Sequence, residues 1–387
     1  MTSKTRATGK MSKKILMFSH LGKGQQGGGE TTFEIIREGL ANRGHIVVPV
    51  YNDKQGKAPW EIQRGSGGYL APIALPNWWR HIFRPKGILQ VLTSFINAIR
   101  ILRAKTPDAV YVHYFSSSAL IFAVLKPWLQ YRFVIGCRGM DIEDLHGLKK
   151  HLASFILDRA EVVTCVSNTQ RRTMQEQVKI TTPTRVIYNG VDADFWRADP
   201  GRVAEGKEII SVGATREEKG HDVLIRAFRE VADRHPEARL KIVGDGSYRE
   251  VCENLIDDLD LRSSVKITGW VDRPDIRELL ASANVFVLPS RQEAFGMALL
   301  EAMASGLPVV ASDTGGIPEV TKGTSARLVE PENEEELAYA LVKALEDREW
   351  RERTARAGIQ RAHELRLEAM VDRYEDVITG TEEIDTG

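Results

Sequence analysis

Two glutamates with seven residues between them, Glu293 and Glu301, are the residues whose types and spacing most directly indicate chemistry. The surrounding residues 289–311 predict a strand end, a loop, a helix that begins near Phe295 and Gly296, and a second strand. Backbone N–H groups at a helix N-terminus favour phosphate, and a carboxylate can accept hydrogen bonds from both hydroxyls of a vicinal pair. We therefore expect one acid to hold a sugar and the other a ribose, with a diphosphate between them. A surface-loop glutamate and a solvated helix glutamate would show the same spacing.

Lys219 and Arg216 lie in the loop after the predicted first strand of the second half, residues 208–213. Two cations on a leaving diphosphate would stabilise the charge that develops as a glycosidic bond breaks. The long side chain and planar fork of Arg216 suit that task. An ion pair of Arg216 with Glu217 or Glu218 is the structural alternative.

Three consecutive glycines, Gly27, Gly28 and Gly29, separate the predicted first strand from the predicted first helix. Glycine lets the backbone approach a ligand closely, and open α/β sheets bind ligands at the carboxyl ends of their strands. This position indicates a loop that binds a phosphate or an acceptor, although a flexible surface turn would have the same composition.

Both halves of the 387-residue chain alternate β-rich runs with amphipathic helical runs, which predicts parallel sheets with helical crossovers. The length exceeds what one hydrophobic core supports. The predicted fold is therefore α/β with two Rossmann-like, doubly wound domains. The predicted boundaries are a disordered tail at 1–13, an N-terminal domain at 14–190, a C-terminal domain at 191–365, and at 366–387 a helix that crosses back to the N-terminal domain, followed by a tail.

The strands are predicted from short apolar runs bounded by turn residues. They fall at residues 14–20, 45–51, 109–114, 133–137, 162–166 and 185–188 of the first half, and at 208–213, 239–243, 265–268, 285–288 and 308–311 of the second. The last helical stretch, residues 351–378, has no predicted strand after it.

The formal net charge of zero conceals an uneven distribution, because residues 1–190 carry +15 and residues 191–387 carry −15. A difference of this size indicates different partners for the two halves. Between residues 62 and 140 the single acidic residue is Asp108.

Trp78 and Trp79 stand beside Arg80 and Arg84 in this acid-poor stretch. Aromatic residues next to basic ones suit the interface of a bilayer that contains anionic lipids. For residues 87–105, an ordinary helix that packs its apolar face on the N-terminal sheet is the alternative.

Several classes of protein are disfavoured by what the sequence contains. The three cysteines, Cys137, Cys165 and Cys252, are far apart and form no CxxC pair, so buried free thiols in a reducing compartment are predicted. The apolar stretch 109–125 is interrupted by His113 and by serines, which argues against a membrane span there.

The stretch that begins at Glu293 resembles the E-x7-E signature region of family 4 glycosyltransferases. Further stretches resemble other motifs of that family in its order and spacing, namely residues 187–192, 212–220, 242–246, 268–271 and 313–319. The resemblance implies the GT-B architecture, with two domains facing a central cleft, and transfer of a sugar with retention of its anomeric configuration. It also implies that no metal or other cofactor is required, that the N-terminal domain binds the acceptor, and that the C-terminal domain binds the nucleotide sugar.

Carried over by position, the resemblance makes Glu301 the ligand of the donor ribose and Glu293 the ligand of the transferred sugar. The backbone at Phe295, Gly296 and Met297 would then contact the diphosphate and the sugar.

The same resemblance makes Gly213 a donor-binding residue and lets the backbone around Trp270 and Val271 frame the base. It gives the loop of Gly27, Gly28 and Gly29 contacts with the acceptor or with donor phosphate.

Two departures from the family pattern affect the candidate catalytic residues. The family has an arginine directly after the strand glycine, where this chain has Ala214, and we expect Arg216 to compensate beside Lys219. Arg138 stands where many members have a histidine, and it can hold an anion or a sugar oxygen although it cannot act as a base. His113 is a weaker candidate, and a structural role at its strand end is the alternative.

The sequence thus predicts a metal-independent, retaining hexosyltransferase that uses a nucleotide-diphosphate sugar. The expected acceptor is lipid-linked or a precursor of a polysaccharide or glycoconjugate, and nucleic acid is not an expected partner. A cytoplasmic location is expected, with docking on the anionic inner face of the cytoplasmic membrane as a further hypothesis. A nucleotide-sugar 2-epimerase of the same architecture and a non-catalytic sugar-nucleotide binding protein are the alternatives.

Overall fold

The computed structural model describes residues 11–20, 28–52, 62–65, 68–73, 85–139, 145, 147–197 and 206–381. It contains two compact units: Met1–Tyr188 together with Glu368–Gly387, and Asn189–Leu367. Most of the predicted tail at 1–13 lies outside the described residues, as do Trp78, Trp79, Arg80 and Arg84.

The N-terminal unit is built on one sheet whose central strands are largely apolar and buried, as expected for strands covered on both faces. Its strands are β1 (Lys14–Ser19), β2 (Ile46–Asn52), β3 (Gln63–Gly65), β4 (Gly68–Ala71), β5 (Ala109–Val112), β6 (Arg132–Cys137), β7 (Val162–Cys165) and β8 (Thr184–Val186). The order across the sheet is β3-β4-β2-β1-β5-β6-β7-β8. β3 pairs antiparallel to β4, and the other neighbours pair in parallel.

Helices cover this sheet. They are α1 (Gly28–Asn42), α2 (Pro85–Lys105), α3 (Ala119–Leu129), α4 (Leu148–Leu157), α5 (Asn168–Gln177) and, near the end of the chain, α14 (Leu367–Thr379). The side chain of Ser167 caps α5 by accepting a hydrogen bond from the backbone N–H of Gln170.

The helix α14 is fixed within the N-terminal unit by buried polar contacts. Glu375 is buried and lies 3.2 Å from both His45 Nε2 and Arg43 Nε. Arg138 Nη1 donates to the hydroxyl of Tyr374 at 2.6 Å. The helix α14 is therefore part of the core that the first 188 residues begin.

The C-terminal unit has a second, fully parallel sheet. Its strands are β9 (Glu208–Val212), β10 (Arg239–Val243), β11 (Val265–Ile267), β12 (Val285–Leu288), β13 (Val309–Ser312) and β14 (Arg327–Val329), in the order β11-β10-β9-β12-β13-β14. The direction of strand addition reverses between β9 and β12, and a crevice at the carboxyl ends of such strands is where open α/β sheets bind ligands. The predicted α/β class with two Rossmann-like sheets is confirmed.

Most helices of the C-terminal unit connect successive strands. They are α6 (Ala193–Trp196), α7 (His221–Arg234), α8 (Arg249–Asp258), α9 (Arg273–Ser282), α10 (Met297–Ala304), α11 (Ile317–Val320), α12 (Glu334–Glu346) and α13 (Arg348–Glu364). The helical stretch predicted at 351–378 is two helices, α13 and α14. The helix is interrupted between these two segments by Val191. Its N–H donates to Leu365 O and its carbonyl oxygen accepts from Leu367 N, so these backbone groups bond to Val191 instead of to residues of a continuous helix.

The cysteines are placed as predicted. Cys137, Cys165 and Cys252 are all buried, and none of the three is in a disulfide bond. Burial raises the pKa of the Cys252 thiol to about 11, so this side chain is a protonated, unreactive packing element at neutral pH.

Candidate functional site

Four loops of the C-terminal unit meet at the carboxyl ends of its central strands. The loop after β9 is tied to the loop after β10 by Thr215 N, which donates to Asp245 O at 3.1 Å. It is tied to the loop after β12 by Arg291 N, which donates to Glu218 O at 2.9 Å. Gly316 N, after β13, donates to Glu293 O at 2.9 Å. These backbone bonds fix the frame on which the predicted donor-binding side chains stand.

Glycines permit this close approach of the loops. A Cβ on Gly220 would overlap the carbonyl oxygen of Pro289, and a Cβ on Gly315 would overlap that of Glu293. Gly220 and Gly315 have positive φ, +65° and +55°, which glycine adopts without strain. Gly213 is different, because no described atom lies within 4 Å of where its Cβ would be. The space beside this predicted donor-binding residue is therefore open.

The structure brings two predicted catalytic residues together. Glu293 Oε2 accepts a hydrogen bond from Lys219 Nζ at 2.7 Å, although the two residues are 74 positions apart. Both side chains are largely buried. A charge-assisted bond of this kind is short and strong, so the acid and the cation hold each other in position at the edge of the site.

The helix α10 begins directly after this acid. Gly296 precedes the helix with φ +94°, and Phe295 is buried beneath it. Leu300 N donates to Gly296 O, so the helical ladder starts there and the N–H groups of the first turn point out of the N-terminus. This arrangement favours an anion, as the sequence predicts for the backbone at Phe295, Gly296 and Met297.

Glu301 lies on α10 itself, where burial and a nearby arginine act on its carboxyl. Burial raises the pKa of its carboxyl to about 7, and the charge of Arg273, whose Nη2 lies 3.2 Å from Glu301 Oε1, opposes that shift. The guanidinium of Arg273 also stands 5.2 Å from the ring centroid of Trp196. No local sequence pattern marks Arg273, because it lies 28 positions before its partner on another helix.

Arg216, the expected substitute for a cation at Ala214, has an exposed side chain. Its Nη1 lies 3.8 Å from Glu218 Oε1, a loose ion pair, and 62% of the side chain is accessible. The structural alternative, pairing with Glu218, is thus present in weak form, and such an exposed pair contributes little energy. The guanidinium remains able to move toward an anion beside Lys219.

Arg291 joins three parts of the site. No local sequence pattern marks it. Its Nη1 and Nη2 donate to the two carboxylate oxygens of Asp222 at 2.9 and 2.8 Å. Nη1 also donates to Glu217 O at 2.6 Å, and Nε donates to Glu332 at 2.9 Å. Burial alone would raise the pKa of Asp222, but the bonds from Arg291 hold it below its usual value.

Trp270 and Val271, expected near the base, follow the edge strand β11. Trp270 is exposed and Val271 is half-buried. Gly269 forms an isolated bridge with Gly244, which brings this segment beside the loop after β10. An exposed tryptophan at the end of a strand is a surface on which a planar group can stack.

In the N-terminal unit, Arg138 and His113 are both buried. One nitrogen of Arg138 donates a hydrogen bond to the hydroxyl of Tyr374, as described above. His113 Nε2 lies 3.0 Å from the carbonyl oxygen of Gly29, which can only accept, so this nitrogen carries the proton. His113 Nδ1 faces the hydroxyl of Tyr111 at 3.1 Å. Burial and the nearby charge of Arg138 lower the pKa of His113, which keeps the ring neutral.

The glycine loop is described only in part. Gly27 lies outside the described residues, Gly28 begins α1, and a Cβ on Gly29 would overlap the hydroxyl of Tyr114. The structural role suggested for His113 fits its position, because it holds the start of α1. Within the described ranges, no group of three or more His, Cys, Asp or Glu side chains is arranged to hold a metal ion.

Comparison with known proteins identifies relatives of both units. The family model described as "Glycosyltransferase Family 4" matches residues 26–195, and the one described as "Glycosyl transferases group 1" matches residues 192–361. An uncharacterized glycosyltransferase of Methanocaldococcus jannaschii is 34% identical over 352 residues, which are 82% of this chain and 85% of that protein.

Solved structures share the fold. The sucrose-phosphate synthase of Thermosynechococcus elongatus has a TM-score of 0.78 at 20% identity, covering 95% of this chain and 99% of that one. The Anabaena protein HepE, solved in complex with UDP-glucose, has a TM-score of 0.74 at 20% identity, covering 95% of this chain and 100% of that one. The predicted GT-B fold is confirmed by these similarities.

Replacing Arg291 with alanine should lower the free energy of unfolding by roughly 2–4 kcal/mol, because it leaves the largely buried Asp222 without its bidentate partner. Urea denaturation at neutral pH measures this loss. The pKa of Asp222 is lowered in the folded state, so its stabilising contribution is present above its unfolded pKa and is lost as the pH falls. The difference between the wild type and Arg291→Ala should therefore shrink below about pH 4.

Arg226 provides a matched control for this prediction. It bonds to the same Asp222 carboxylate through one nitrogen at 3.1 Å and is more exposed than Arg291. Arg226→Ala should cost less than about 1 kcal/mol. Equal losses in the two variants would contradict a special role for the bidentate pair.

Proposed function

The chain belongs to glycosyltransferase family 4, and we propose that it transfers a sugar from a nucleotide-diphosphate donor with retention of the anomeric configuration and without a metal ion. The observation that supports this most is the pair of Lys219 and Glu293 at the N-terminus of α10. A cation and a row of helix N–H groups can bind a diphosphate, while the carboxylate beside them can bind a sugar.

The proposed chemistry is stabilisation of a leaving group. As the bond from the anomeric carbon to the diphosphate breaks, negative charge develops on the diphosphate oxygens. Lys219 and the N-terminus of α10 are already oriented, so they would stabilise that charge without reorganisation. Positive charge from these groups serves the purpose that a metal ion would otherwise serve, with Arg216 as an additional, mobile cation.

The donor is held at three places in this proposal. Glu293 accepts from the sugar hydroxyls, Glu301 from the ribose hydroxyls, and the segment at Trp270 and Val271 frames the base. The complex of HepE with UDP-glucose, on the same fold, supports a nucleotide sugar as donor. The alternative of an epimerase is not favoured, since the relatives reported above are glycosyltransferases or share their fold.

The acceptor belongs to the N-terminal unit in this proposal. The net charge of +15 over residues 1–190 supports an acceptor that carries phosphate or lies at an anionic surface, such as a lipid-linked glycan or a glycoconjugate precursor. We place the reaction in the cytoplasm, where nucleotide sugars and free thiols are compatible.

A donor screen followed by NMR tests the proposal. The nucleotide of the true donor among UDP, GDP and ADP should raise the melting temperature, and the matching α-linked sugar nucleotide should be slowly hydrolysed. The sugar first released should have the α configuration, and EDTA should not slow its release. A β product would contradict retention, and inhibition by EDTA would contradict metal independence. Release of the 2-epimer would favour the epimerase, and nucleotide binding without any hydrolysis would favour the non-catalytic alternative.

Replacing Glu301 with alanine should weaken binding of the free nucleoside diphosphate by about 1.5–3 kcal/mol, because the ribose hydroxyls lose a charged acceptor. The ionised carboxyl is the better acceptor, and its pKa is raised to about 7 in the free protein. Nucleotide affinity, measured by calorimetry, should therefore rise as the pH increases from 6 to 8.

Glu301→Gln is the control for that pH dependence, since it keeps the shape and removes the titration. The nucleotide's own phosphate titrates equally in both proteins, so the difference between the two curves isolates Glu301. Parallel curves for the wild type and Glu301→Gln would disprove the ribose assignment.

Replacing Lys219 with alanine should lower the rate of donor hydrolysis by about 10²–10³ while changing donor affinity less, because leaving-group charge is greatest in the transition state. Arg216→Ala should produce a smaller loss of the same kind. Steady-state hydrolysis gives the rate, and calorimetry gives the affinity.

Glu293→Gln separates the two members of the pair. It frees Lys219 from its carboxylate partner, so affinity for the free nucleoside diphosphate should be retained or increased while hydrolysis of the sugar nucleotide falls. If Arg216→Ala has normal kinetics while Lys219→Ala is inactive, Arg216 does not compensate for Ala214.

A further inference from the structure

The helix α2 of the N-terminal unit has two contrasting faces. On one face Ala98, Ile101 and Leu102 are buried in the core of the unit. The opposite side exposes four large apolar residues, each 46–55% accessible: Ile88, Leu89, Leu92 and Ile96. Leu89, Leu92 and Ile96 repeat at intervals of three and four residues, so they form one stripe along the helix.

Basic residues continue this stripe. Arg100 and Arg103 follow Ile96 at intervals of four and three residues and are exposed, and Lys86 is exposed at the start of the helix. Residues 85–105 contain no aspartate or glutamate. We call the set Lys86, Ile88, Leu89, Leu92, Ile96, Arg100 and Arg103 the α2 face.

The α2 face does not belong to a membrane-spanning helix. By length and composition alone, α2 is the one helix among the described residues that is long and apolar enough to cross a bilayer. The buried face of α2 already packs in the core of the unit, and crossing the bilayer would strip that core of its cover. Its 21 residues instead extend about 31 Å along the surface of the unit.

A bilayer interface matches this composition. In an interfacial helix the apolar stripe enters the boundary between headgroups and acyl chains, and Lys and Arg bind the lipid phosphates. A second copy of the chain is a poorer match. Because both ends of the α2 face are basic, parallel pairing and antiparallel pairing would each bring like charges together at the ends.

We propose that the α2 face docks the N-terminal unit in the plane of an anionic lipid bilayer. Ile88, Leu89, Leu92 and Ile96 insert, while Lys86, Arg100 and Arg103 contact the phosphates of acidic headgroups. The surface is independent of Trp78 and Trp79, which lie outside the described residues. It goes beyond the proposed donor chemistry, since docking requires neither the sugar nor the nucleotide.

Vesicle co-sedimentation of the full chain tests the docking. The protein should pellet with vesicles made of equal amounts of phosphatidylcholine and phosphatidylglycerol, and it should remain in solution with phosphatidylcholine alone. Raising the salt to physiological strength should weaken the binding, because exposed charges are screened over about 8 Å. Pelleting that is equal with both lipids, or absent with both at low salt, would overturn the proposal.

Two variants assign the binding to the α2 face. Leu89→Ser with Leu92→Ser removes apolar area, and Arg100→Glu with Arg103→Glu reverses charge. Each pair should reduce the bound fraction on anionic vesicles about tenfold or more. The matched control, Arg172→Glu with Lys179→Glu, makes the same change of net charge at exposed positions on α5 and just after it. A control variant that loses binding as fully as Arg100→Glu with Arg103→Glu would overturn the assignment.

Two further measurements keep the result specific. Each variant should retain the wild-type melting temperature within a few degrees and the wild-type rate of donor hydrolysis, which shows that it is folded. Light scattering after size exclusion should give a monomer for the wild type. A dimer that becomes monomeric in Leu89→Ser with Leu92→Ser would overturn the proposal and assign the face to a second copy.

Failure of donor hydrolysis in the wild type would count against the proposed function and leave the vesicle result standing.

Discussion

The ion pair between Lys219 and Glu293 is the interaction on which the geometry of the candidate site depends. It joins the loop after β9 to the loop after β12 across the point where the strand order reverses. Gly220 and Gly315 allow the backbones beside it to approach, and Arg291 clamps the same loop to Asp222. The ion pair therefore rests on a frame that contacts within the protein itself hold in place, which is the condition for electrostatic stabilisation without reorganisation.

The pair also limits what Lys219 can do. A lysine that is already paired with a carboxylate attracts a diphosphate less than a free cation would, so in the proposed donor complex the N-terminus of α10 supplies part of the binding energy. Glu293 is not limited in this way, since its lone pairs on the side away from Lys219 remain able to accept hydrogen bonds from sugar hydroxyls. The arrangement favours a ligand that carries both an anion and hydroxyl groups over a simple anion, and this is a source of specificity that neither residue supplies alone.

The outline of the site could be predicted from the sequence because its signals are local. The spacing of Glu293 and Glu301, the strand before them and the glycine at the start of α10 all lie within one short stretch. The pairs Arg291 with Asp222 and Arg273 with Glu301 could not be predicted, since they connect residues 69 and 28 positions apart and no local pattern marks them. The strand β14 was missed for a related reason. It has three residues, one of them charged, and it is recognisable only through its pairing with β13.

The same difference between local and distant signals explains why the surroundings of Arg138 in the N-terminal unit could not be predicted. Arg138 was expected to contact an anion or a sugar oxygen, and in the structure it is buried with one nitrogen bonded to Tyr374 of the last helix. Tyr374 follows Arg138 by 236 positions, so no inspection of the surrounding sequence could find this partner. Val377 and Ile378 of α14 are fully buried in the same unit. A fragment that ends at residue 188 would expose the apolar surface they cover and remove Glu375 from His45 and Arg43. The N-terminal unit is therefore completed only when α14 has been synthesised, and the folding domain comprises both segments rather than the first one alone.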